Sequence, residues 1–476
     1  MRAKPPFWLS LRLPHLALDR LTRSQAHHPV PLAITDTVQR HEVIIDCTPA
    51  ALQSGIQPGM PPAVAQGILD TLRILPRKPA QEYETLQGLA AWCYQYSSQV
   101  SMLPDRNGML LEVGASQRLF GAIPELGQRM EREFGRLGYR ATAGSAPTPE
   151  AAWLAAGEAL HIQLPVEIRH LLGHLPLDRL YLETAHLRLL EQMGFRHTRD
   201  VLRLPRKALT RRFGPAVVDY IDRLLGTQPD PRPSYQPPRT FSARLELPAE
   251  IHSSQALLFP LRRLLEELCG VLHGGDNAVQ SVLIRLQHEN LSESRLTLGT
   301  QTPTQDQERL MRLLQERLER LRLPAAVRSI HLDVPQLLPL QATQRSLFHD
   351  SAAGQQQDIQ QLAERLQARL GRSAVAGITG VEDHRPEYSW RPRALNECTD
   401  CAPLRHRPTW LLSQPRHCDI TQYEMLSGPE RIESGWWDGH DCRRDYFIVR
   451  DPHGSTLWAF REYKPRSGWY LHGIFA

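Results

Sequence analysis

The sequence predicts a multidomain α+β protein, and three observations predict it. Strand-like and helix-like patterns alternate through the first 160 residues. A helical stretch then runs from Val166 to Gly226 and stops at a proline-rich segment, Gln228 to Arg239 (QPDPRPSYQPPR). The end of the chain reads as short strands separated by turns, and six of the nine tryptophans lie at or beyond Trp390, enough to furnish a small core there.

Taken in order, Phe7 to Leu13 and Val43 to Ile45 read as strands, and Pro62 to Leu72 as a helix. Met109 to Val113 is a strand with the uninterrupted apolar run of a buried one, and Ile123 to Leu137 is the following helix. Two short leucine-rich helices meet near Gly194. Residues 240–337 read strand, helix, strand, helix, strand, with helices over Gln255–Leu272 and Gln307–Leu321 and strands over Ser281–Gln287 and Val327–Val334. A helix runs from Gln355 to Leu370. A Pro- and Arg-rich stretch follows, and then three strands, Tyr446–Arg450, Thr456–Arg461 and Trp469–His472, with turns at Asp451–Gly454 and Lys464–Gly468. The expected division is 1–165, 166–227, a linker at 228–239, 240–337, a second linker at 338–354, and 355–476.

Composition excludes several classes. The 476 residues are 41% hydrophobic and 22% charged, ordinary for a globular protein. No stretch approaches the 18 apolar residues of a membrane span, and the N-terminus lacks a signal-peptide core, so a cytoplasmic protein is expected. Seven scattered cysteines form no disulfide framework, which fits a reducing compartment. The net charge is +5, and the basic side is nearly all arginine, with lysines only at positions 4, 78, 207 and 464. Either a polyanion-binding surface or the codon bias of a GC-rich genome accounts for that ratio.

Four segments, in order and spacing, resemble the Y-family (UmuC/DinB-like) DNA polymerases. They are Leu9–Asp19 (LSLRLPHLALD), Val43–Pro61 (VIIDCTPAALQSGIQPGMP), Ser101–Phe120 (SMLPDRNGMLLEVGASQRLF) and Gly144–Ala156 (GSAPTPEAAWLAA). The resemblance covers roughly residues 5–337. It implies a palm and fingers over 1–165, a helical thumb over 166–227 and an α+β little finger over 240–337. Leu426–Gly439 (LSGPERIESGWWDG), Arg444–Asp445–Tyr446 and Leu471–Ala476 (LHGIFA) resemble one branch in particular, the catalytically degenerate one of the bacterial inducible mutagenesis system. That branch implies, as partners, DNA, the β sliding clamp, ImuA and an error-prone DnaE-type polymerase, and a location at the nucleoid.

Departures from the family pattern set the functional expectation. Polymerases of this family hold two metal ions with acids on two palm strands, and magnesium demands such hard oxygen ligands. Here the matching positions are Leu11 and Leu13 on the first strand and Asn107 and Gly108 on the second. None is a carboxylate at any pH. The triphosphate-cradling tyrosine and arginine of relatives match Pro49 and Leu52, and the later lysine matches Pro149 or Trp153. The expectation is a non-catalytic adaptor without a cofactor. The alternative is an active translesion polymerase using Mg²⁺ at a displaced site built from Asp19, Asp46, Asp105 and Glu112. In the bland reading Asp19 and Asp105 are solvated loop acids.

Binding features remain. Gln344, Ser346, Leu347 and Phe348 form the Gln-x-Ser-Leu-Phe pattern by which bacterial polymerases bind the sliding clamp. The two apolar side chains would fill a pocket while the glutamine hydrogen-bonds at its mouth. Arg199, Arg203, Arg206, Lys207, Arg211 and Arg212 crowd the thumb-like region and suit sequence-independent contact with DNA phosphates. Trp436 and Trp437 are neighbours, so a strand would bury only one and leave the other for a partner; core packing is the default for most of the tail tryptophans, Trp458 and Trp469 included. Cys398, Cys401, His406 and Cys418 suggest a zinc site. No second pair stands at finger spacing, so reduced thiols without metal are expected.

Overall fold

The computed structural model describes residues 6–24, 30–340, 351–371, 374–393, 407–463 and 468–475. The chain forms two compact units, Met1–Arg369 and Leu370–Ala476.

The first unit begins with strand β1 (Trp8–Arg12). Strands β2 (Leu32–Val38), β3 (His41–Cys47) and β4 (Arg73–Pro76) form a separate small sheet in the order β3-β2-β4. β4 follows the helix Pro62–Ile68, which is shorter than the sequence suggests. Strands β5 (Val100–Leu103), β6 (Gly108–Glu112) and β7 (Thr142–Ala146) join β1 in the palm-like sheet, ordered β5-β6-β1-β7. β1 is therefore central, with antiparallel neighbours on both sides. Its alternation sorts the faces: Leu9 and Leu11, and Leu13 just beyond it, enter a core with the helices Pro79–Cys93 and Ile123–Leu137, whereas Trp8 packs against the helix Pro149–Gly157.

The thumb-like region is a set of short helices, among them Thr184–Gln192, Thr198–Leu202, Arg206–Phe213 and Pro215–Leu225, around a leucine-rich core. The proline-rich linker forms neither helix nor strand and is held to the palm-like region. The Tyr235 amide donates to Val100 O at 2.7 Å, and the Tyr94 hydroxyl donates to Tyr235 O.

The little-finger-like region is a four-stranded antiparallel sheet with two helices on one face. Its strands are β8 (Phe241–Ile251), β9 (Asn277–His288), β10 (Glu293–Thr304) and β11 (Val327–Val334), ordered β10-β9-β11-β8, with the short β12 (Leu338–Pro339) against β9. β10 has no counterpart in the sequence reading. Its residues Gly299 to Thr304 (GTQTPT) include no large apolar side chain and so show no apolar alternation. The helices are Leu258–Gly274 and Gln307–Leu318, the latter capped by Asp306, whose carboxylate accepts from the Glu308 and Arg309 amides.

The helix Leu258–Gly274 also packs on the palm, so one apolar core runs through both regions. Close approach needs glycine here: a Cβ on Gly270 would sit 2.0 Å from the Trp92 indole, and one on Gly274 would sit 2.7 Å from the Gln95 amide. A buried ion pair crosses the same contact, Arg23 Nη1 to Glu267 Oε2 at 2.7 Å. The helix Ser351–Leu370, expected to open the C-terminal region, is docked in the first unit, where buried Glu364 accepts from Arg309 Nε at 2.8 Å.

The second unit has a hairpin of β13 (Gly377–Gly380) and β14 (Trp390–Arg393). It also has a five-stranded antiparallel sheet of β15 (Trp410–Cys418), β16 (Glu424–Ser434), β17 (Cys442–Arg450), β18 (Thr456–Glu462) and β19 (Trp469–Ile474), ordered β15-β19-β18-β17-β16, in which the last four strands form a meander and β15 closes on β19. The last three strands are those the sequence suggests. Tyr446, Trp458, Phe460 and the fully buried His472 form its aromatic centre.

Candidate functional site

The four positions that the resemblance matches to metal-binding acids are neighbours on β1 and β6, but Leu11 and Leu13 face the helix-packed core while Gly108 faces Trp153. β1 pairs with β6 so that Leu11 lies opposite Met109 and Arg12 opposite Gly108, and the Leu13 amide donates to Asn107 O at 2.8 Å. Leu11 and Leu13 are 0% exposed and belong to the palm core. Asn107 adopts a left-handed backbone (φ 48°) at the end of the turn Pro104–Arg106, the conformation that asparagine tolerates best after glycine. At Gly108 a Cβ would lie 2.5 Å from both Leu11 O and the Trp153 ring. A glutamate in its place would have to displace a buried tryptophan.

The acids weighed for a displaced metal site do not converge. Asp19 is not a loop acid: it is buried on the helix Leu16–Thr22 and takes the Arg140 amide and guanidinium at 2.8 Å. Burial raises its carboxyl above the ordinary range, although Arg140 acts the other way. Asp46, at the end of β3, pairs with His15 at 2.9 Å. Glu112 accepts the backbone amides of Phe7 and Gly114 at 3.1 and 2.9 Å, and Asp105 is exposed. Among the described residues no group of three or more His, Cys, Asp or Glu could hold a metal ion. Of the triphosphate positions, Pro49 and Leu52 lie on the short helix Pro49–Gln53 with Leu52 exposed, while Pro149 and Trp153 are buried.

On the opposite face of β1 the palm carries positive charge. The Arg12 guanidinium lies 4.7 Å from the Trp153 ring centre, and Arg106 lies 5.7 Å from the same ring and 3.6 Å from Tyr181. Arg106 is paired with Glu150 at 2.9 Å, which also takes Arg232 at 2.6 Å. Burial pushes the Glu150 carboxyl up, but the hydrogen bonds from Arg106 and Arg232 outweigh that and leave it below the usual range.

The thumb-like cluster divides. Arg206 is bound to Asp222 at 2.8 Å, and Arg199 stands 3.9 Å from Asp200. Arg203, Lys207, Arg211 and Arg212 are exposed and meet no carboxylate within 4 Å among the described residues. A second basic feature escaped the sequence reading. Arg295 lies opposite Arg285, Arg285 opposite His331, and His331 opposite Arg244, a row across β10, β9, β11 and β8 on the face away from the helices. Strands about 4.8 Å apart make such a row long enough to span two phosphates. Glu293, Asp333 and Glu246 flank the three arginines at 2.5, 2.7 and 3.4 Å. Burial, with help from Arg244 and Arg285, lowers the His331 pKa. Alternation alone puts these side chains outward; only the strand register puts them in line.

In the second unit Trp436 and Trp437 sit in the turn after β16, not on a strand, and both are exposed, at 77% and 60%. The expectation that most tail tryptophans are core holds for Trp458, which is 2% exposed, but not for this pair. Two adjacent indoles survive in water here because a turn, unlike a strand, imposes no inward face. Trp390 and Trp410 are exposed as well and line a cavity of about 1130 Å³ with Ile378, Arg407 and Pro429. Gln344, Ser346, Leu347 and Phe348 lie outside the described residues, as do Cys398, Cys401 and His406. Cys418 is a free thiol at the end of β15. No described helix is long and apolar enough to cross a membrane.

Residues 21–157 match the impB/mucB/samB family model. The fold is mixed α+β with an added C-terminal sheet region, and its residues 21–157 are Y-family polymerase-like. The chain is similar to Protein ImuB from Caulobacter vibrioides (strain NA1000 / CB15N), with 26% identity over 459 residues, 88% of this chain and 100% of that protein. It is also similar to DNA polymerase IV of Aeromonas hydrophila subsp. hydrophila, 28% identical over 247 residues, 50% of this chain and 70% of that one. Among solved structures, an insertion ternary complex of Dbh DNA polymerase aligns at 17% identity with a TM-score of 0.39, covering 70% of this chain and 99% of that one.

Proposed function

We propose that this chain is a non-catalytic, polymerase-like adaptor in error-prone translesion synthesis and damage-induced mutagenesis. It binds primer–template DNA without reading sequence, and the β sliding clamp through Gln344, Ser346, Leu347 and Phe348. It recruits ImuA and an error-prone DnaE-type polymerase, with the exposed Trp436–Trp437 pair as a contact, and works at the nucleoid. The observation that carries this reading is the chemistry around Leu11, Leu13, Asn107 and Gly108. Two of the four are leucines in a core, one has no room for a side chain, and among the described residues no acidic cluster could hold a metal ion. Two-metal phosphoryl transfer has nothing there to hold the ions. The similarity to Protein ImuB supports a role in mutagenesis. The exposed arginines of the thumb-like helices and of the little-finger-like sheet support phosphate contact.

The alternative is an active polymerase, favoured by the similarity to DNA polymerase IV. Primer extension by the purified protein with Mg²⁺ or Mn²⁺ separates the two. The adaptor predicts no extension above a protein-free control, together with DNA retention and clamp capture that is lost on Leu347→Ala/Phe348→Ala. Processive extension by protein free of contaminating polymerase refutes the adaptor reading.

A further inference from the structure

The five-stranded sheet of the second unit leaves two open edges, because β15 pairs only with β19 and β16 only with β17. Both edges line the cavity of about 1130 Å³, β15 through Trp410 and Leu411 and β16 through Glu430 to Glu433. The β13–β14 hairpin supplies a further wall with Ile378 and Trp390, and the buried Trp458 of β18 lies at the floor. The volume exceeds the roughly 300–1,000 Å³ of a small-molecule pocket. Trp390 and Trp410 are exposed, so this is an open cleft suited to a length of chain.

Its charges are nearly all spent. Arg407 Nη2 is bound to Glu430 Oε1 at 3.0 Å, with its guanidinium 4.9 Å from the Trp458 ring centre. Arg431 is bound to Asp445 at 2.8 Å, and Asp383 to Arg385 at 2.8 Å. With both lining arginines neutralised, neither is free to attract a polyanion. Glu433 is the exception, an exposed carboxylate with no arginine, lysine or histidine nitrogen within 4 Å among the described residues. The indoles are unspent too. Neither Trp390 nor Trp410 donates its ring N–H to an acceptor among the described residues. Each offers an apolar face and a free donor side by side. A polyproline II segment is the complement: its prolines stack on aromatic faces, and its carbonyls, which have no partner inside the segment, accept from indole N–H groups. A helix spends its carbonyls internally and has none to offer.

We infer that this cleft binds an extended, proline-containing segment of a partner protein that carries a basic residue. Trp390 and Trp410 are the shelf for the prolines, and Glu433 meets the cation. The inference stands apart from the polymerase-like part of the chain: it holds whether or not the chain extends primers, and its failure leaves the DNA and clamp readings where they are.

The test uses the full chain and three fluorescein-labelled peptides, read by fluorescence anisotropy: Ala-Pro-Pro-Leu-Pro-Pro-Arg, the same peptide ending in Glu, and the same peptide with every proline replaced by serine. The variants are Trp390→Ala, Trp410→Ala, Glu433→Gln and Glu433→Lys, all at exposed side chains, and thermal unfolding verifies that each remains folded. The parent should bind the Arg peptide saturably and prefer it to the other two. Each Trp variant should weaken that binding about tenfold or more. Glu433→Gln should weaken it about twofold to fivefold. Glu433→Lys should reverse the preference between the Arg and Glu ends, a readout that does not depend on the tryptophan variants. The inference is overturned if the parent shows no saturable binding up to about 1 mM, if the serine peptide binds as well as the proline peptide, or if the variants bind as the parent does. It is equally overturned if the Trp variants change only the binding of single-stranded DNA or only the sedimentation of the chain, which would make the cleft a nucleic-acid site or a contact between copies.

Discussion

An acid placed at Leu11, a position the resemblance matches to a metal-binding acid, should destabilise the chain rather than create a metal site. Leu11→Asp puts a carboxyl where a fully buried leucine packs among the helices Pro79–Cys93 and Ile123–Leu137. Truncating a buried leucine costs about 3–5 kcal/mol. Burying a carboxyl without hydrogen-bond partners adds about 1–3 kcal/mol even when it is neutral. The sum, about 4–8 kcal/mol, consumes much of the roughly 5–15 kcal/mol by which a domain is stable. Thermal unfolding of the full chain should drop by about 10 °C or more. The deficit also has a pH signature. Burial raises the new carboxyl above its unfolded value near 3.9, so the folded state is penalised increasingly as pH rises past about 4. The gap between parent and Leu11→Asp should therefore be narrower at pH 4.5 than at pH 7.5. If Leu11→Asp/Leu13→Asp melts within a degree or two of the parent and binds Mg²⁺, the side chains face solvent and the case for an apolar palm is wrong.

Three further outcomes are expected. Glu267→Gln leaves Arg23 charged and buried, and should destabilise by about 3–5 kcal/mol in urea unfolding; Arg23→Met/Glu267→Met should cost much less than the two single changes combined. Replacing Arg203, Lys207, Arg211 and Arg212 with Gln should flatten the salt dependence of DNA binding, by about 0.9 in slope for each arginine or lysine that touches a phosphate, with no change in melting temperature. Burial pushes His472 down to about 4 from 6.5, so the folded second unit favours the neutral ring. Its stability is full above pH 6.5 and falls as pH drops from 6.5 toward 4, by about 3 kcal/mol in all. Tryptophan fluorescence follows this directly, because Trp458 stacks 6.2 Å from the His472 ring, and His472→Gln should remove that part of the acid sensitivity.

The long periodic helices were legible in the sequence, and Ile123–Leu137 ends where the pattern ends, at a left-handed Gly138. So were β1 and β6, because apolar runs in buried strands need no partner to be recognised. β10, β15 and β16 were not. Their outward residues are as polar as a loop, and they become strands only through the neighbours they pair with. The candidate site divides in the same way. The absence of acids in LSLRLPH is a property of residue types and was visible at once. That Leu11 and Leu13 enter the core while Arg12 leaves by the other face follows from period two. That Arg12 meets Trp153 depends on a helix more than 130 residues away in sequence. Asp19 was misjudged because a short helix with a proline before it resembles a loop, and its partner Arg140 is remote.

The indole of Trp92 keyed into the notch at Gly270 bears on how this chain moves. A little finger hung only on a flexible tether can swing to follow a duplex. Here the tether is tied down at Tyr235, and the swinging part shares its oily interior with the palm. Swinging it free would expose that interior to water, so the two regions should travel as one piece. Severing the chain between Gln228 and Arg239 would leave each half with an open wound rather than two independent modules.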